Sequence, residues 1–416
     1  MADAPDLRSA AFFDDPFPVL QTLLDDNPLH WNPSLGGWVA VRYGDIRDQL
    51  RDRRYSSDRM DPFFAHLVDE DRAGLASLEH NIRLWSVFTD PPQHTRLRGL
   101  MNKAFTSRAL KALRPQVEAI ATDLVDGIVA RGRMETIADL AYPLPASVIG
   151  LMLGVPWADI ESLKRWSDDL AKFVLYGMLG PAEYRRADAA IAEMTAYFSD
   201  LIEERRRNPG EDVISGLVGA EERGDFLNVD ELVAACVLLL FAGHETTTQL
   251  IGNGMLALLQ NPGELRRLQQ SRDNPEAVAT AVEEMLRYDG PSLAQVRLAG
   301  EDIPLDGAGA GPAAGQVIRA GDRVFQMLAA ANRDPAQFDA PNRFDVGRGT
   351  AKSHLAFGYG IHFCIGAPLA RMEGQILFPL LLSRLRDFEL ELDRPRFTRS
   401  LVVRGLQALP VSCKPM

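Results

Sequence analysis

One cysteine of this chain lies in a setting that could support chemistry. Cys364 stands in FGYGIHFCIGAPLAR, residues 357–371, with Gly358, Gly360 and Gly366 around it and a helical pattern directly after it. Glycines let the backbone turn tightly beside a flat ligand, and the N-terminus of the following helix offers partial positive charge to the sulfur. Both effects stabilise a thiolate. Without a second cysteine or a nearby base, the loop favours a single metal–sulfur bond, while an unreactive buried thiol is the alternative.

A group of polar side chains interrupts the most apolar helix of the chain. Asn228 can cap this helix, Glu231 completes a capping box, and Asn261-Pro262-Gly263 ends it. These roughly 30 residues predict a rod of about 45 Å, and its middle, AACVLLLFAG, is apolar on every side, which predicts a central buried helix. The polar side chains follow directly: His244, Glu245, Thr246, Thr247 and Thr248. They suggest a functional site, and back-bonded hydroxyls beside a partnered acid are the alternative.

The elements around these two features predict a mainly α protein with small β-sheets. Residues 108–288 show helical spacing of apolar residues, and strand-like runs occur at 37–43, 296–303 and 323–329 and around 401–411. GAGAGPAAG, residues 307–315, predicts a flexible turn between two strands rather than a phosphate-binding loop, because no helix pattern follows it. Without an internal repeat or linker, we expect a single domain over residues 1–416, with no fused reductase.

Composition excludes several classes of protein. The net charge of -12 argues against nucleic-acid binding, which needs clustered Lys and Arg. The acidic N-terminus does not resemble a signal peptide, and the longest apolar stretch, 232–243, is about half of what a bilayer needs, so we expect no membrane anchor. Three cysteines without CxxC spacing cannot form a disulfide framework or a four-cysteine zinc site, which predicts a cytoplasmic protein.

FGYGIHFCIG resembles the haem-binding loop of the cytochrome P450 family at its Phe, Gly, Cys and Gly positions. Further segments follow the family's order over nearly everything after residue 35. The resemblance implies the cytochrome P450 fold, with haem b between the long central helix and the cysteine loop with its following helix, and Cys364 as the axial thiolate. It also implies that Phe357, Gly360 and Gly366 contact the haem.

AGHETT, residues 242–247, resembles the family's oxygen-binding segment. The resemblance implies that Ala242 and Gly243 lie beside the haem, with Gly243 leaving room for dioxygen. It further implies that Thr246 holds a water by hydrogen bonds and that Glu245 relays protons to it.

Two ionic sets are implied as well. The haem propionates need cationic donors, and the implied set is His94, Arg98, Arg297 and His362. For the first two, which are four apart on a predicted helix, a solvated basic face is the alternative. A buried structural network under the haem loop is implied for Glu284, Arg287 and Arg343, where a surface salt bridge would be the alternative.

The expected function is that of a haem-thiolate monooxygenase, which inserts one oxygen atom of O2 into a largely apolar organic molecule of secondary metabolism. Oxidative coupling or desaturation is the alternative within the family, and a haem sensor or carrier is the alternative of another class. By family analogy the substrate pocket contains mostly apolar side chains: Leu84, Trp85, Val87, Phe88, Leu239, Ser292, Leu293, Ala294, Val296, Val402 and Val403. Terpenoids, polyketides, steroids and fatty acids all remain open as substrates.

Electrons are expected from a separate acidic partner, a ferredoxin or flavodoxin with its reductase. Residues 93–114 contain several basic residues and no acidic one: Arg96, Arg98, Lys103, Arg108, Lys111 and Arg114. A basic region on an acidic protein could attract such a partner to the Cys364 side, while an ordinary solvated helix face is the alternative.

Overall fold

The computed structural model describes residues 4–176, 180–222, 228–306 and 308–416. The α-helices in this part of the chain are α1 Ala10–Asp14, α2 Phe17–Asp26, α3 Tyr43–Gln49, α4 Met60–Ala65, α5 Asp69–Ala73, α6 Ala76–Ile82, α7 Gln93–Ala104, α8 Ser107–Arg131, α9 Pro143–Met152, α10 Ile160–Ala171, α11 Pro181–Arg207, α12 Val213–Glu222, α13 Val229–Gln260, α14 Pro262–Gln270, α15 Pro275–Asp289, α16 Leu328–Ala331 and α17 Ala367–Arg384. The strands are β1 Leu29–Asn32, β2 Gly37–Ala40, β3 Tyr55–Ser56, β4 Arg133–Glu135, β5 Gln295–Ala299, β6 Ile303–Pro304, β7 Val317–Ile318, β8 Arg323–Gln326, β9 Leu385–Leu390 and β10 Pro410–Pro415. The protein is therefore mainly α-helical with small sheets, as predicted.

The chain forms two compact units. The first contains residues 1–56, 121–142 and 246–416, and the second contains residues 57–120 and 143–245. All ten strands named above belong to the first unit, whereas the described part of the second is built from helices and turns. Two helices, α8 and α13, each contribute residues to both units.

The sheets of the first unit are small and mostly antiparallel. The largest has the strand order β1-β2-β8-β5-β3, in which only β2 and β8 run parallel, with Trp38 opposite Val324. A three-stranded sheet has the order β4-β10-β9, and β6 pairs with β7. Apolar side chains of the large sheet and of α3 and α16 form one buried core cluster.

Helix α13 begins where the capping-box pattern predicts. The Glu231 amide donates to Asn228 Oδ1 at 2.8 Å, and the Asn228 amide donates to Glu231 Oε2 at 3.1 Å. The helix is 32 residues long and ends at Gln260, directly before Asn261. Both predicted ends are therefore confirmed, because short-range side-chain and proline signals determine them.

Several predicted strands are shorter than expected. The run 37–43 ends as a strand at Ala40, and α3 begins at Tyr43, whose amide donates to Asp334 Oδ2 at 2.9 Å. The run 323–329 ends as a strand at Gln326 and continues into α16. Between 401 and 409 the chain makes only isolated bridges, such as Ser292 with Val403. Pairing with distant segments, rather than local propensity, sets these lengths.

The turn that connects β6 and β7 is partly ordered by packing. Gly307 lies outside the described residues, and Ala308–Ala313 forms a 3-10 turn with a kink at Gly311, whose φ is 52°. Ala313 is 1% exposed and belongs to the same core cluster as Leu305 and Ile318. The predicted turn is therefore present, and the methyl group of Ala313 occupies a buried position in it.

In the part of the chain that the structure describes, no helix combines the length and the apolarity that crossing a membrane requires.

Candidate functional site

The cysteine loop of the first unit joins a short 3-10 turn, Gly360–His362, to the N-terminus of α17. The Cys364 amide donates to the Phe357 carbonyl at 2.9 Å, which closes the loop, and the Cys364 side chain is half-buried. Gly358 and Gly360 have φ values of 71° and 73°, in the left-handed region that favours glycine. A Cβ on Gly360 would also lie 2.8 Å from the Leu50 carbonyl oxygen, so this position excludes a side chain.

The donor set around Cys364 fits a haem. Among the described residues, no group of three or more His, Cys, Asp or Glu side chains could hold a metal ion. A metal at Cys364 would therefore need ligands from outside such a group, and a porphyrin supplies four of them in one plane. Cationic side chains of the same unit could bind its carboxylates, since Arg297 on β5 is buried and His362 lies two residues before the cysteine.

A buried ionic network connects α15 to the chain that precedes the cysteine loop. Glu284 and Arg287 have fully buried side chains, with Glu284 Oε2 at 2.7 Å from Arg287 Nε. The Arg287 guanidinium also donates to the carbonyls of Asn332, Pro341 and Arg343. The predicted Glu284–Arg287 pair is therefore present, and it is structural rather than a surface salt bridge.

The third member of this network is not the predicted one. Arg348, with a side chain 9% exposed, places its Nε 3.1 Å from Glu284 Oε2. Arg343 contributes only its carbonyl, which accepts from Arg287 and from Arg348, while the residue itself is exposed. The sequence prediction of an Arg343 guanidinium in the network is wrong, because the chain turns so that its backbone faces inward there. No local pattern singled out Arg348.

An acid–imidazole pair lies on the part of α13 that belongs to the second unit. The His244 side chain is 2% exposed, with Nδ1 at 2.8 Å from the Leu240 carbonyl and Nε2 at 3.3 Å from Glu245 Oε1. Burial lowers the pKa of His244, but the hydrogen bond and the charge of Glu245 outweigh it and leave the pKa raised. Thr246 follows Glu245 on the same helix, so the acid and the alcohol occupy consecutive positions.

Sequence reasoning missed a further acid near this pair. Asp168 on α10 has a raised pKa because it is partly buried and because Glu245 repels its negative charge, while His244, Lys164 and Lys172 act in the opposite direction. Two carboxylates and one imidazole of the second unit therefore interact electrostatically. Nothing in the sequence around Asp168 signals this proximity, since it depends on how α10 packs.

The packing around α13 explains why residue 243 is a glycine. A Cβ at this position would lie 2.7 Å from Ile149 Cγ1, on α9 of the same unit. The absence of a side chain therefore lets the Ile149 side chain reach the backbone of α13. The predicted role of Gly243 and Ala242 beside an oxygen-binding site stays a prediction.

The predicted propionate partners divide between the two units. His94 and Arg98 both lie on α7 of the second unit, with His94 3% exposed and Arg98 half-buried. Arg297 and His362 belong to the first unit, where Arg297 donates to Gln295 Oε1 at 3.3 Å. The helical spacing predicted for the first pair is confirmed.

The predicted pocket residues likewise form one group in each unit. In the first unit the Leu293 amide donates to the Val402 carbonyl at 2.9 Å, and Ser292 pairs with Val403, which brings four of them together, while Ala294 and Val296 follow in sequence. In the second unit Trp85 stacks on Phe88 at 5.9 Å and meets Phe241 at 5.5 Å. Trp85 is only 1% exposed, whereas Val87 is 40% exposed. Trp85 is therefore a core residue of its unit. Leu84 is its neighbour in sequence, and Leu239 lies on α13, two residues before Phe241.

The basic stretch 93–114 is less basic than its sequence suggests. Arg96 donates to both carboxylate oxygens of Glu231, and Arg114 pairs with Glu118 at 2.9 Å. Arg108 and Lys111 on α8 are exposed, and the side chain of Lys103 lies outside what the structure describes. The exposed positive charge of the described side chains thus centres on Arg108 and Lys111.

Comparison with known proteins agrees with this site. The family model described as Cytochrome P450 matches residues 66–405. The chain is 41% identical over 409 residues to Cytochrome P450 monooxygenase PikC of Streptomyces venezuelae, covering 96% of this chain and 91% of the relative. It is 36% identical to the Vitamin D(3) 25-hydroxylase of Pseudonocardia autotrophica, with 99% and 96% covered.

Solved structures show the same relationship. The crystal structure of CalO2 superposes with a TM-score of 0.89 at 32% identity, covering 100% of both chains. The myxobacterial cytochrome P450 CYP267B1 in complex with myristic acid superposes with a TM-score of 0.85 at 40% identity, covering 98% of both chains. The fold, the cysteine loop and these relatives together lead to one conclusion: the chain belongs to the cytochrome P450 family of monooxygenases.

Proposed function

We propose that this protein inserts one oxygen atom of O2 into a largely apolar organic molecule of secondary metabolism, with electrons from a separate redox protein. The observation that carries the proposal is the cysteine loop, in which the half-buried Cys364 lies before the N-terminus of α17 and its backbone amide donates to the Phe357 carbonyl. Related proteins support the substrate class, since they include a 6-deoxyerythronolide B hydroxylase and a Vitamin D(3) 25-hydroxylase, whose names indicate large apolar substrates.

In this proposal Cys364 holds haem b through its sulfur, and Phe357, Gly360 and Gly366 shape the loop beside it. The haem, when bound, supplies the binding and reductive activation of O2. The N-terminus of α17 favours the thiolate over the thiol, because its partial positive charge stabilises the negative sulfur. By resemblance to the family, the proposed partners of the propionates are His94, Arg98, Arg297 and His362.

Glu245 is the proposed proton donor to the oxygen site, and Thr246 would hold a water beside it by its hydroxyl group. His244 and Asp168 support this role. His244 Nε2 lies 3.3 Å from Glu245 Oε1 and can replace a proton that Glu245 gives up, and the negative charge of Glu245 acts on Asp168. This acid cluster favours an enzyme over a haem sensor or carrier, which needs no proton delivery.

The apolar side chains near residues 84–88, 292–296 and 402–403 are the proposed lining of the substrate site. Their character favours a molecule held by hydrophobic contact with few polar interactions. We propose a cytoplasmic location, supported by the small number of cysteines and their lack of CxxC spacing. Cys236 and Cys413 are buried thiols.

The proposal is tested by turnover with supplied electrons. A library of terpenoids, polyketides, steroids and fatty acids is first screened for ligands that change the spin state of the haem. Each ligand is then incubated with the protein, a ferredoxin, its reductase and isotopically labelled dioxygen. We expect a product that carries one labelled oxygen atom. A product that has lost hydrogen or become coupled without labelled oxygen would point to desaturation or coupling instead, and consumption of electrons without any product from any ligand would contradict the proposal.

A further inference from the structure

A second buried ionic group lies beside the network of Glu284, and it borders the cysteine loop itself. Glu283, the preceding residue on α15, accepts from Arg371 at 2.5 and 2.9 Å and lies 3.1 Å from His354 Nε2. The side chains of Glu283 and His354 are 13% and 1% exposed. Glu283 and Glu284 therefore serve two different groups of partners, although they are neighbours in sequence.

The hydrogen bonds of His354 determine where its proton is. The Ala356 amide donates to His354 Nδ1 at 3.0 Å, so this nitrogen must accept and the ring proton must be on Nε2. His354 is thus a neutral imidazole that donates to Glu283. In agreement, burial lowers the pKa of His354 despite the opposing effect of Glu283, and Arg371 and Arg287 lower it further.

Glu283 stays ionised between these partners. Burial would raise the pKa of Glu283, but hydrogen bonds from His354 and Arg371, together with the charge of Arg371, bring it to about 2. A carboxylate held by a bidentate arginine and an imidazole N–H is fixed in orientation as well as in charge.

Two members of this group, Arg371 and His354, contact the Phe357 ring. The Arg371 guanidinium lies over the Phe357 ring, with Cζ at 4.6 Å from the ring centroid, and the His354 ring lies 5.6 Å from the same centroid. His354 also accepts a hydrogen bond from the amide of Ala356, the residue before Phe357. The contacts therefore form a closed circuit that restrains the Phe357 ring and the backbone on its N-terminal side.

Phe357 in turn contacts Cys364, the proposed sulfur ligand, and its neighbour Phe363. Its carbonyl accepts from the Cys364 amide at 2.9 Å, and its ring also lies 6.2 Å from that of Phe363, the residue before the cysteine. We propose that Glu283, His354 and Arg371 are positioning residues that hold Phe357, and through it the Cys364 backbone, so that the thiolate stays bound to the haem iron. This inference rests on the proposed function, because it assumes haem ligation by Cys364.

The test compares two variants that each remove one buried carboxylate from α15. Glu283→Gln disrupts the group described here. Asp289→Asn is the matched control, because Asp289 lies on the same helix and pairs with the buried Arg404 at 2.8 Å, and it has no part in the Phe357 circuit. For each holoprotein, the reduced carbon monoxide complex is recorded, and the rate at which its red-shifted Soret band is lost on mild warming is measured beside the thermal unfolding transition.

We expect the Glu283→Gln protein to lose the red-shifted band several-fold faster than both the wild type and the Asp289→Asn protein, at temperatures where all three are folded. Arg371→Lys, which keeps the charge but cannot form the planar bidentate contact, should show a smaller increase in the same direction and serves if Glu283→Gln does not fold. Equal rates in the Glu283→Gln or Arg371→Lys protein and the control would overturn the inference while leaving the proposed function intact. A wild type without the red-shifted band would overturn the proposed function and this inference with it.

Discussion

The carboxylate of Glu245 interacts with other ionisable groups. Its carboxylate lies 3.3 Å from His244 Nε2, and Asp168 on α10 responds to its charge. At the scale of single residues, the AGHETT pattern was sufficient to identify Glu245 and Thr246 as candidates. It could not identify Asp168, because the partner of an acid in another helix depends on packing rather than on spacing along the chain.

Removing the acid or the alcohol should uncouple electron use from product formation. We expect Glu245→Gln and Thr246→Ala to bind haem and substrate like the wild type but to form product about 100-fold more slowly, the low end of what general acid–base catalysis contributes. The electrons should then appear as hydrogen peroxide. Product and peroxide are measured per electron consumed.

Thr248→Val is the matched control for this experiment, since it removes a buried hydroxyl from the same helix and keeps the side-chain shape. Its coupling should equal that of the wild type. Unchanged coupling in both Glu245→Gln and Thr246→Ala would place proton delivery elsewhere.

At the scale of elements, helix ends were more predictable than strands. The ends of α13 follow from Asn228, Glu231 and the Pro262 turn, which act within a few residues. By contrast β4, only Arg133–Glu135, exists because it pairs with β10 near the end of the chain. The helical spacing of Glu284 and Arg287 likewise predicted their pair, but the third member, Arg348, comes from an irregular segment that no periodicity describes.

The corrected network predicts opposite outcomes for substitutions of Glu284 and of Arg343. Glu284→Gln should lower the free energy of unfolding by about 3–5 kcal/mol, because it leaves the buried Arg287 without its counter-charge. Arg343→Ala should change it by less than about 1 kcal/mol, since the exposed side chain is replaced and the carbonyl that accepts from Arg287 remains. Urea unfolding of the holoprotein measures both values. A large loss of unfolding free energy in Arg343→Ala would show that the Arg343 guanidinium does belong to the network.

At the scale of the whole molecule, charge distribution matters more than net charge. The net charge is -12, yet Arg108 and Lys111 are exposed on α8, while Arg96 and Arg114 already have carboxylate partners. The sequence of residues 93–114 alone overstates the exposed positive charge, because the carboxylate partners Glu231 and Glu118 lie outside this stretch. An acidic redox protein would therefore meet fewer free cations than the sequence suggests.

Reversing the two exposed charges should slow electron delivery. We expect the double variant Arg108→Glu, Lys111→Glu to be reduced about tenfold more slowly by an acidic ferredoxin at low salt, with the difference shrinking as salt screens the charges. Reduction by dithionite and substrate binding should not change. Arg185→Glu, at an exposed position on α11 of the same unit, is the control. Equal reduction rates for the double variant, the control and the wild type at low salt would reject this docking surface.

Cys364 is the proposed ligand of the haem iron, and the spectrum of the reduced carbon monoxide complex reports this ligation directly. The wild type should show the strongly red-shifted Soret band of a thiolate-ligated haem, because sulfur donates charge to the iron. Cys236→Ala and Cys413→Ala should keep that band, and Cys364→Ala should lose it while haem remains bound. A red-shifted band that persists in Cys364→Ala would show that another group binds the iron.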